Sequence, residues 1–403
     1  MSPRLTKLAL LLASTFLALS ACSKKEEAAP APSSAAPAAT TETAPTVVLI
    51  GHVAPLTGGI AHLGKDNENG ARLAVEEINK AGLEIGGKKI KLELVAEDDA
   101  ADPKQGTTVA EKLVDEKVVA VVGHLNSGVS IPASTIYARA GIPQISPSST
   151  NPNYTLKADK TEKGMVATYR TIATDAQQGP AIANYAIKTM GAKSIAVIDD
   201  ATEYGKGLAD IVEKVAKEAG INVVAHEATT NTAKDFKAIL TKLKATKPDV
   251  IMFGGMDDVA APMARQMKEL GMKMHLMGGD GACTDKFIEL AGDASEALIC
   301  TEAGLPLSKM PKGEEFRAHY KERFNSEVQV YGPFAYDAVY VLVDAMKRAG
   351  STEPEKIIAA LPQTKTDGVS GTVEFDEKGD LKNGAITVYE IKAGKKEVAE
   401  IVK

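Results

Sequence analysis

The chain has 403 residues, with 47 Lys and Arg against 53 Asp and Glu and a formal net charge of −6, which argues against a nucleic-acid partner. It is 44% hydrophobic and 25% charged, ordinary for a soluble globular chain and too long for one typical domain. Aromatic residues make up 4%, with no Trp, which weighs against a carbohydrate site built on stacking rings.

Residues 1–22 read MSPRLTKLALLLASTFLALSAC. Arg4 and Lys7 form a basic start, and the apolar run 8–19 is too short to span a bilayer comfortably. The end, Leu19-Ser20-Ala21-Cys22, resembles the bacterial lipoprotein signal, in which the Cys thiol receives lipid before cleavage. Residues 23–46 are mostly Ala, Pro, Ser, Thr and Glu. Such a stretch buries too little apolar surface to fold and reads as a disordered tether, a coil on the order of 25–30 Å in root-mean-square span. The expectation is a body held at the periplasmic or cell-surface side, touching the membrane through lipid alone.

From Val47 the chain alternates strand and helix. Residues 47–53 read as a strand. Residues 66–81 are amphipathic, with Ala71, Ala74, Val75 and Ile78 at helical spacing, and Gly82 ends them. The strand 90–96 runs into Glu97-Asp98-Asp99. A helix follows over 103–116, with Pro103 suited to its first turn. The Val-rich run 118–122 has the pattern of a fully buried strand, a helix over 130–140 stops at Gly141, and the strand 142–145 leads into Ser146-Pro147-Ser148-Ser149-Thr150.

A second series of the same kind begins near Ser194. Strands are expected over 195–198, 222–225, 249–253 and 275–277, and helices over 206–219, 234–245 and 259–270. The loops after these strands carry Asp199 to Gly205, Gly254 to Asp258, and Gly278-Gly279-Asp280-Gly281. Helices over 311–325 and 335–348 and strands over 371–375 and 385–391 complete the chain. The class is α/β, with two doubly wound, Rossmann-like lobes whose crevices lie at the carboxyl ends of their strands. Ser127 follows one strand of the first lobe, and Ser148, Ser149 and Thr150 follow the next. Hydroxyls and backbone amides there suit a carboxylate or other small anion; the plainer alternative is that they cap helices and make turns.

Of three Cys, Cys283 and Cys300 lie in the body of the chain. Outside the cytosol they tend to oxidise, and a disulfide closing that loop would contribute about 3 kcal/mol; the alternative is two separate buried thiols. The six His show no paired metal spacing, and there is no CxxC, GxxxxGK[ST] or GxSxG. No metal, cofactor or nucleophile with its base is expected.

Eight segments then fall in order: GGIAHLG, AEDDAADPKQ, GHLNSGVSIPAS, ISPSST, DDATEYGKGLA, KDFKAILTKLK, LMGGDG and VEFDEKGDLKNG. They resemble the periplasmic leucine/isoleucine/valine-binding proteins that feed ATP-driven importers, from about Val47 to the C-terminal strands. The resemblance implies a type I periplasmic-binding-protein fold with a three-segment hinge. Lobe 1 would be 47–168 plus 302–372 and lobe 2 would be 169–301 plus 373–403, with crossings near Tyr169, near Thr301 and within 371–380.

Carried over by position, the resemblance puts the ligand carboxylate at Ser127, Ser148, Ser149 and Thr150. It puts the covering aromatic at Tyr204 and the partner of the ligand ammonium at Asp280, with Asp199 and Asp257 as rival acids. The plainer roles are a helix cap for Tyr204 and an Asx-turn for Asp280. Three departures stand out. Asp280 replaces a longer Glu. Leu63 and Met256 stand where an aromatic is often found, so the pocket is more aliphatic and softer. Ala101 and Asn126 occupy the places of a disulfide found in some members.

The expected function is capture of an aliphatic amino acid by lobe closure and delivery to the permease of an ABC importer. A sensor of the same fold, passing the presence of an amino acid or amide to a membrane receptor or regulator, is the alternative. An enzyme is not expected, because nothing assembles a reactive centre.

Overall fold

The structure, a computed structural model, describes residues 44–403; the expected leader, Cys22 and the tether as far as Thr43 lie outside the described residues. Strands of the first lobe are β1 (Thr46–Ala54), β2 (Leu83–Ile85), β3 (Lys88–Asp98), β4 (Ala120–Gly123), β5 (Gln144–Ser146) and β6 (Thr168–Arg170). They form one sheet in the order β2-β3-β1-β4-β5-β6, parallel except for β2. All four residues of β4 are buried, as its unbroken apolar run requires of a strand covered on both faces. Helices α1 (Ala61–Ala81), α2 (Pro103–Asp115) and α3 (Ser127–Arg139) follow β1, β3 and β4, and the short α4 (Asn153–Leu156) follows β5.

The second lobe begins with α5 (Asp175–Asn184). It continues through β7 (Ser194–Asp199), α6 (Glu203–Glu218), β8 (Asn222–Ala228), α7 (Lys237–Thr246), β9 (Val250–Gly254), α8 (Asp257–Glu269), β10 (His275–Gly278), α9 (Asp285–Ala291) and β11 (Leu298–Glu302). The chain then returns to the first lobe. There α10 (Gly313–Phe324), α11 (Gly332–Ala349), α12 (Pro354–Ala360) and the two-residue strands β12 (Thr366–Asp367) and β13 (Thr372–Val373) are laid down. Helix α11 packs along α1. On the opposite face of the same sheet α2 packs on α3. Finally β14 (Ile386–Lys392) and β15 (Lys395–Val402) extend the second sheet, ordered β15-β14-β11-β10-β9-β7-β8.

In each sheet the first parallel strand has its second on one side and its third on the other. The direction of winding therefore reverses between β1 and β4 in one lobe and between β7 and β9 in the other, and ligands of open α/β sheets sit at such points. The chain crosses between lobes from Arg170 to Asp175, again after Glu302, and again between Phe375 and Ile386. Tyr169 lies in the first sheet and packs on Phe375 with ring centroids 4.8 Å apart. Val373 and Phe375 belong to the first lobe's core, so the third crossing falls later than residue 373. Cys283 and Cys300 are joined in a disulfide, with Cα atoms 5.3 Å apart. Among the described residues no helix is long and apolar enough to cross a membrane.

Candidate functional site

The loops at the two winding reversals face one another. On the first lobe, Ser127 opens α3, and the first amides of a helix have no carbonyl partner within it. Its hydroxyl accepts from Asn151 N at 3.2 Å, which ties the loop after β4 to the loop after β5. Ser148 Oγ accepts from Asn67 Nδ2 of α1 at 3.1 Å. Ser149 points into the fold: its hydroxyl lies 2.6 Å from Ser130 Oγ and 3.0 Å from Leu125 O. Ser149 therefore fixes the loops against each other. Thr150 is buried, and its Oγ1 has no hydrogen bond of ordinary geometry.

Behind these loops stands Arg170, fully buried at the end of β6. Its guanidinium donates to Ser149 O, Asn151 O, Thr155 Oγ1 and Asp380 Oδ1, and it lies over the Tyr154 ring. One cation thus clamps the hydroxyl-bearing loop to two of the interlobe crossings.

On the second lobe Asp280 is 1% exposed. Its Oδ1 accepts from Gln178 Nε2 at 2.8 Å and Tyr204 OH at 2.9 Å, and its Oδ2 accepts from Tyr331 OH at 2.7 Å. Burial pushes the Asp280 carboxyl up, and the bonds from Tyr331, Gln178 and Tyr204 pull it back. Tyr204 and Tyr331 are held well above the usual phenol range by burial and by the Asp280 charge, so both stay neutral donors. The flanking glycines let Tyr204 come this close. A Cβ on Gly279 would lie 2.6 Å from Tyr204 OH, and one on Gly281 would lie 2.6 Å from Met256 Sδ.

Tyr331 comes from the first lobe and is aimed by Asp66. The Asp66 carboxylate accepts from the backbone N–H groups of Gln329, Val330, Tyr331 and Gly332 and from Tyr320 OH. It anchors the start of α11. Other bonds also cross between lobes: Asn151 Nδ2 donates to Glu203 O, and His62 Nε2 lies 2.8 Å from Asp257 Oδ2.

Leu63, Leu125, Ile60, Tyr204, Met256 and Tyr331 share one apolar cluster that bridges the lobes. Beside it opens a cavity of 640 Å³, with Ile60, Ala101, Val129 and Met256 on its apolar walls and Thr57, Asp200, Thr202 and Asp258 at its polar rim. The rival acids are engaged elsewhere. Asp257 also receives Thr284 Oγ1 at 2.5 Å, and Asp199 faces His226 Nε2 at 3.0 Å. Asp210, Glu213 and His226 come within metal-binding reach of one another, but Lys206 and Lys217 pair with the two carboxylates.

Of the expected residues, Tyr204 and Met256 line the cavity; Leu63 shares their apolar cluster and Asp280 bonds to Tyr204, while Ser127, Ser148 and Thr150 are buried in the loops after β4 and β5, with Ser149 as internal support. The sequence reading passed over Asp66, Asp175, Gln178 and Tyr331. Asp66 did leave a signal, an acid three residues after Leu63 on the apolar face of α1. The disulfide adds rigidity where it counts, since Cys283 lies just beyond Asp280 and is pinned to β11.

The periplasmic binding protein family matches residues 47–396. Over 350 residues the chain is 38% identical to the Leu/Ile/Val-binding protein homolog 1 of Brucella abortus, covering 86% of this chain and 91% of that protein. It is 37% identical over 338 residues to the leucine-, isoleucine-, valine-, threonine- and alanine-binding protein of Pseudomonas aeruginosa, covering 83% of this chain and 87% of that one. Among solved structures, the leucine binding protein LivK of Thermotoga maritima superposes with a TM-score of 0.81 at 30% identity, over 88% of this chain and 99% of that chain. The substrate binding protein LivJ of a branched-chain amino acid transporter from Streptococcus pneumoniae, in complex with isoleucine, gives 0.79 at 28% identity, over 89% of this chain and 100% of that chain.

Proposed function

The chain belongs to the periplasmic binding protein family, and from that premise we propose that it captures a small free amino acid, branched-chain or otherwise aliphatic, between closing lobes and delivers it to an ABC importer. The observation that carries this reading is the opposed chemistry of two facing sets of loops, those after β4 and β5 in the first lobe and that after β10 in the second. One offers hydroxyls and free helix amides; the other offers a buried carboxylate. A free amino acid brings the matching pair, an anionic and a cationic group on the same carbon.

In this reading Ser127, Ser148, Thr150 and the first amides of α3 receive the ligand carboxylate, and Ser149 holds their loops in place. Asp280 meets the ammonium through a charge-assisted hydrogen bond worth about 1.5–3 kcal/mol. Tyr204 covers the ligand, and Leu63 and Met256 face its side chain. The protein binds and releases without catalysis and without a cofactor. Cys22 carries lipid, and the tether that follows lets the body reach a permease from the membrane surface.

Two experiments test this. Mass spectrometry of ligand released from natively purified protein, followed by calorimetry, should find Leu, Ile, Val or a close aliphatic relative. Failure to bind any of these would overturn the reading. For the anchor, Cys22→Ser should move the protein from the membrane fraction to the soluble fraction, and a variant that still takes up fatty-acid label would refute lipidation there.

A further inference from the structure

The cavity between the lobes measures 640 Å³. That is on the scale of sites for drug-sized ligands, about 300–1,000 Å³, and more than a leucine side chain fills. Ile60, Val129 and Met256 give it apolar walls, while Asp200, Glu203 and Asp258 place acid at its rim. Among the described residues no Lys, Arg or His lines it. Lys234, outside the lining, pairs with Asp258 at 3.3 Å.

Two buried acceptors in this lining lack a donor. Asp200 is 2% exposed. Its Oδ1 accepts from Thr202 N at 2.9 Å and from Thr202 Oγ1 at 2.6 Å, in the turn that leads into α6. Its Oδ2 has no hydrogen bond. Asn126 belongs to the other lobe and stands immediately before α3, where its side chain makes no capping bond. Its Oδ1 is also buried without a hydrogen bond. Each lobe thus contributes one acceptor, and neither atom is used to close the loop that carries it. A buried acceptor without a donor is destabilising by itself, and such groups persist where a ligand completes them.

We propose that the rim of this cavity is a subsite for a cationic group, so that the protein takes basic amino acids, in which an aliphatic stem ends in an ammonium or guanidinium, as well as aliphatic ones. This rests on the amino-acid reading above and extends it. The stem lies along Ile60, Val129 and Met256. The end group donates to Asp200 Oδ2 and Asn126 Oδ1, and Asp258 and Glu203 add negative charge around it. Asp280 remains the partner of the ammonium beside the ligand carboxylate, so the two cations of the ligand meet different acids. The electrostatics agree. Burial pushes the Asp200 carboxyl up to about 6, with Asp199 and Asp258 adding to the rise and Thr202 opposing it. Burial raises Asp258 as well, against the pull of Lys234. Carboxylates held up by burial are stabilised in their charged form by an opposite charge brought alongside.

The test is calorimetry on the full chain at pH 7, comparing lysine with norleucine, which has the same carbon skeleton and lacks only the terminal ammonium. Wild type should bind lysine about tenfold or more tightly than norleucine, the effect of one charge-assisted hydrogen bond. Asp200→Asn keeps Oδ1 for Thr202 and the start of α6. It should weaken lysine about tenfold and leave norleucine within about twofold. Asn126→Ala should weaken lysine selectively in the same way. Wild type that binds norleucine as tightly as lysine overturns the proposal. So does a folded Asp200→Asn in which the two ligands lose affinity equally or not at all. If Asp200→Asn does not fold, Asn126→Ala decides: a loss confined to lysine supports the subsite, and an equal loss or none overturns it. Wild type that binds none of lysine, norleucine and leucine overturns the functional reading itself, which separates that failure from this one.

Discussion

Tyr331 of the first lobe donates its hydroxyl hydrogen to Asp280 Oδ2 of the second at 2.7 Å. The two residues are 51 positions apart in sequence and reach one another only while the lobes are together. Tyr331→Phe keeps the ring in its apolar cluster and removes the donor. A hydrogen bond to a charged group is worth about 1.5–3 kcal/mol, so ligand affinity should fall ten- to a hundredfold. The ligand-free melting temperature should change little, because Asp66 still anchors the start of α11. Calorimetry and thermal melting check the two halves of this expectation.

Asp280→Asn should behave differently. The carboxylate accepts three hydrogen bonds in a buried setting, and Asn puts a donor where one acceptor stood. Loss of the ligand's charge partner should reduce affinity by two to three decades. The opposed donors should also lower the melting temperature by more than Tyr331→Phe does. If Asp280 were a rim residue facing solvent, the melting temperature would not move, so paired melting curves of the two variants separate these pictures.

How much of this was legible in the sequence depends on how local the signal was. The parallel strands were, because Val121 and Val122, or Ile251 and Met252, sit in short apolar runs closed by glycine. Ser127 drew attention because it follows such a strand, whereas Tyr204 and Asp280 were pointed to only by the family resemblance. Helix α5 was missed because Gly179-Pro180 reads as a breaker. Here Gly179 serves close packing, since a Cβ on it would lie 2.4 Å from Ile211 Cγ2 of α6. With α5 went Asp175 and Gln178. Tyr331 had no local pattern to betray it, as its role depends on a contact between lobes. Strand β15 was hidden by its exposed charges, the usual protection of a sheet edge.

Reduction of the Cys283–Cys300 bond should be felt at the site as well as in stability. The bond closes a loop across a sequence separation of 17, and such a crosslink contributes about 3 kcal/mol. It also ties the segment after Asp280 to β11. Cys283→Ala with Cys300→Ala should lower the melting temperature by several degrees and speed ligand dissociation. Reductant should do the same to wild type and nothing further to the variant. Equal dissociation rates with and without reductant would limit the bond to a role in stability alone.

His52 gives a prediction in which pH supplies the sign. It lies on β1 with no exposure, and neither ring nitrogen has a hydrogen-bond partner. Burial lowers its pKa from 6.5 to about 4, against the upward pull of Glu68 and Asp99. Between those values the unfolded chain binds a proton that the folded protein refuses, so this group's contribution to stability falls as pH drops from 6.5 towards 4. Three buried acids act in the opposite sense. Asp175 is raised to about 7, and Asp200 and Asp337 to about 6, so folding holds their protons and stability falls as pH rises through that range. The whole-protein profile therefore hides His52, and a difference between variants is needed to expose it. His52→Leu keeps similar volume and removes the titration. Relative to its value at pH 8, the stability difference should shift in favour of the variant by about 2 kcal/mol at pH 5. Denaturant melts of both proteins at the two pH values measure it. A difference that stays constant with pH would mean that His52 takes up its proton in the folded state.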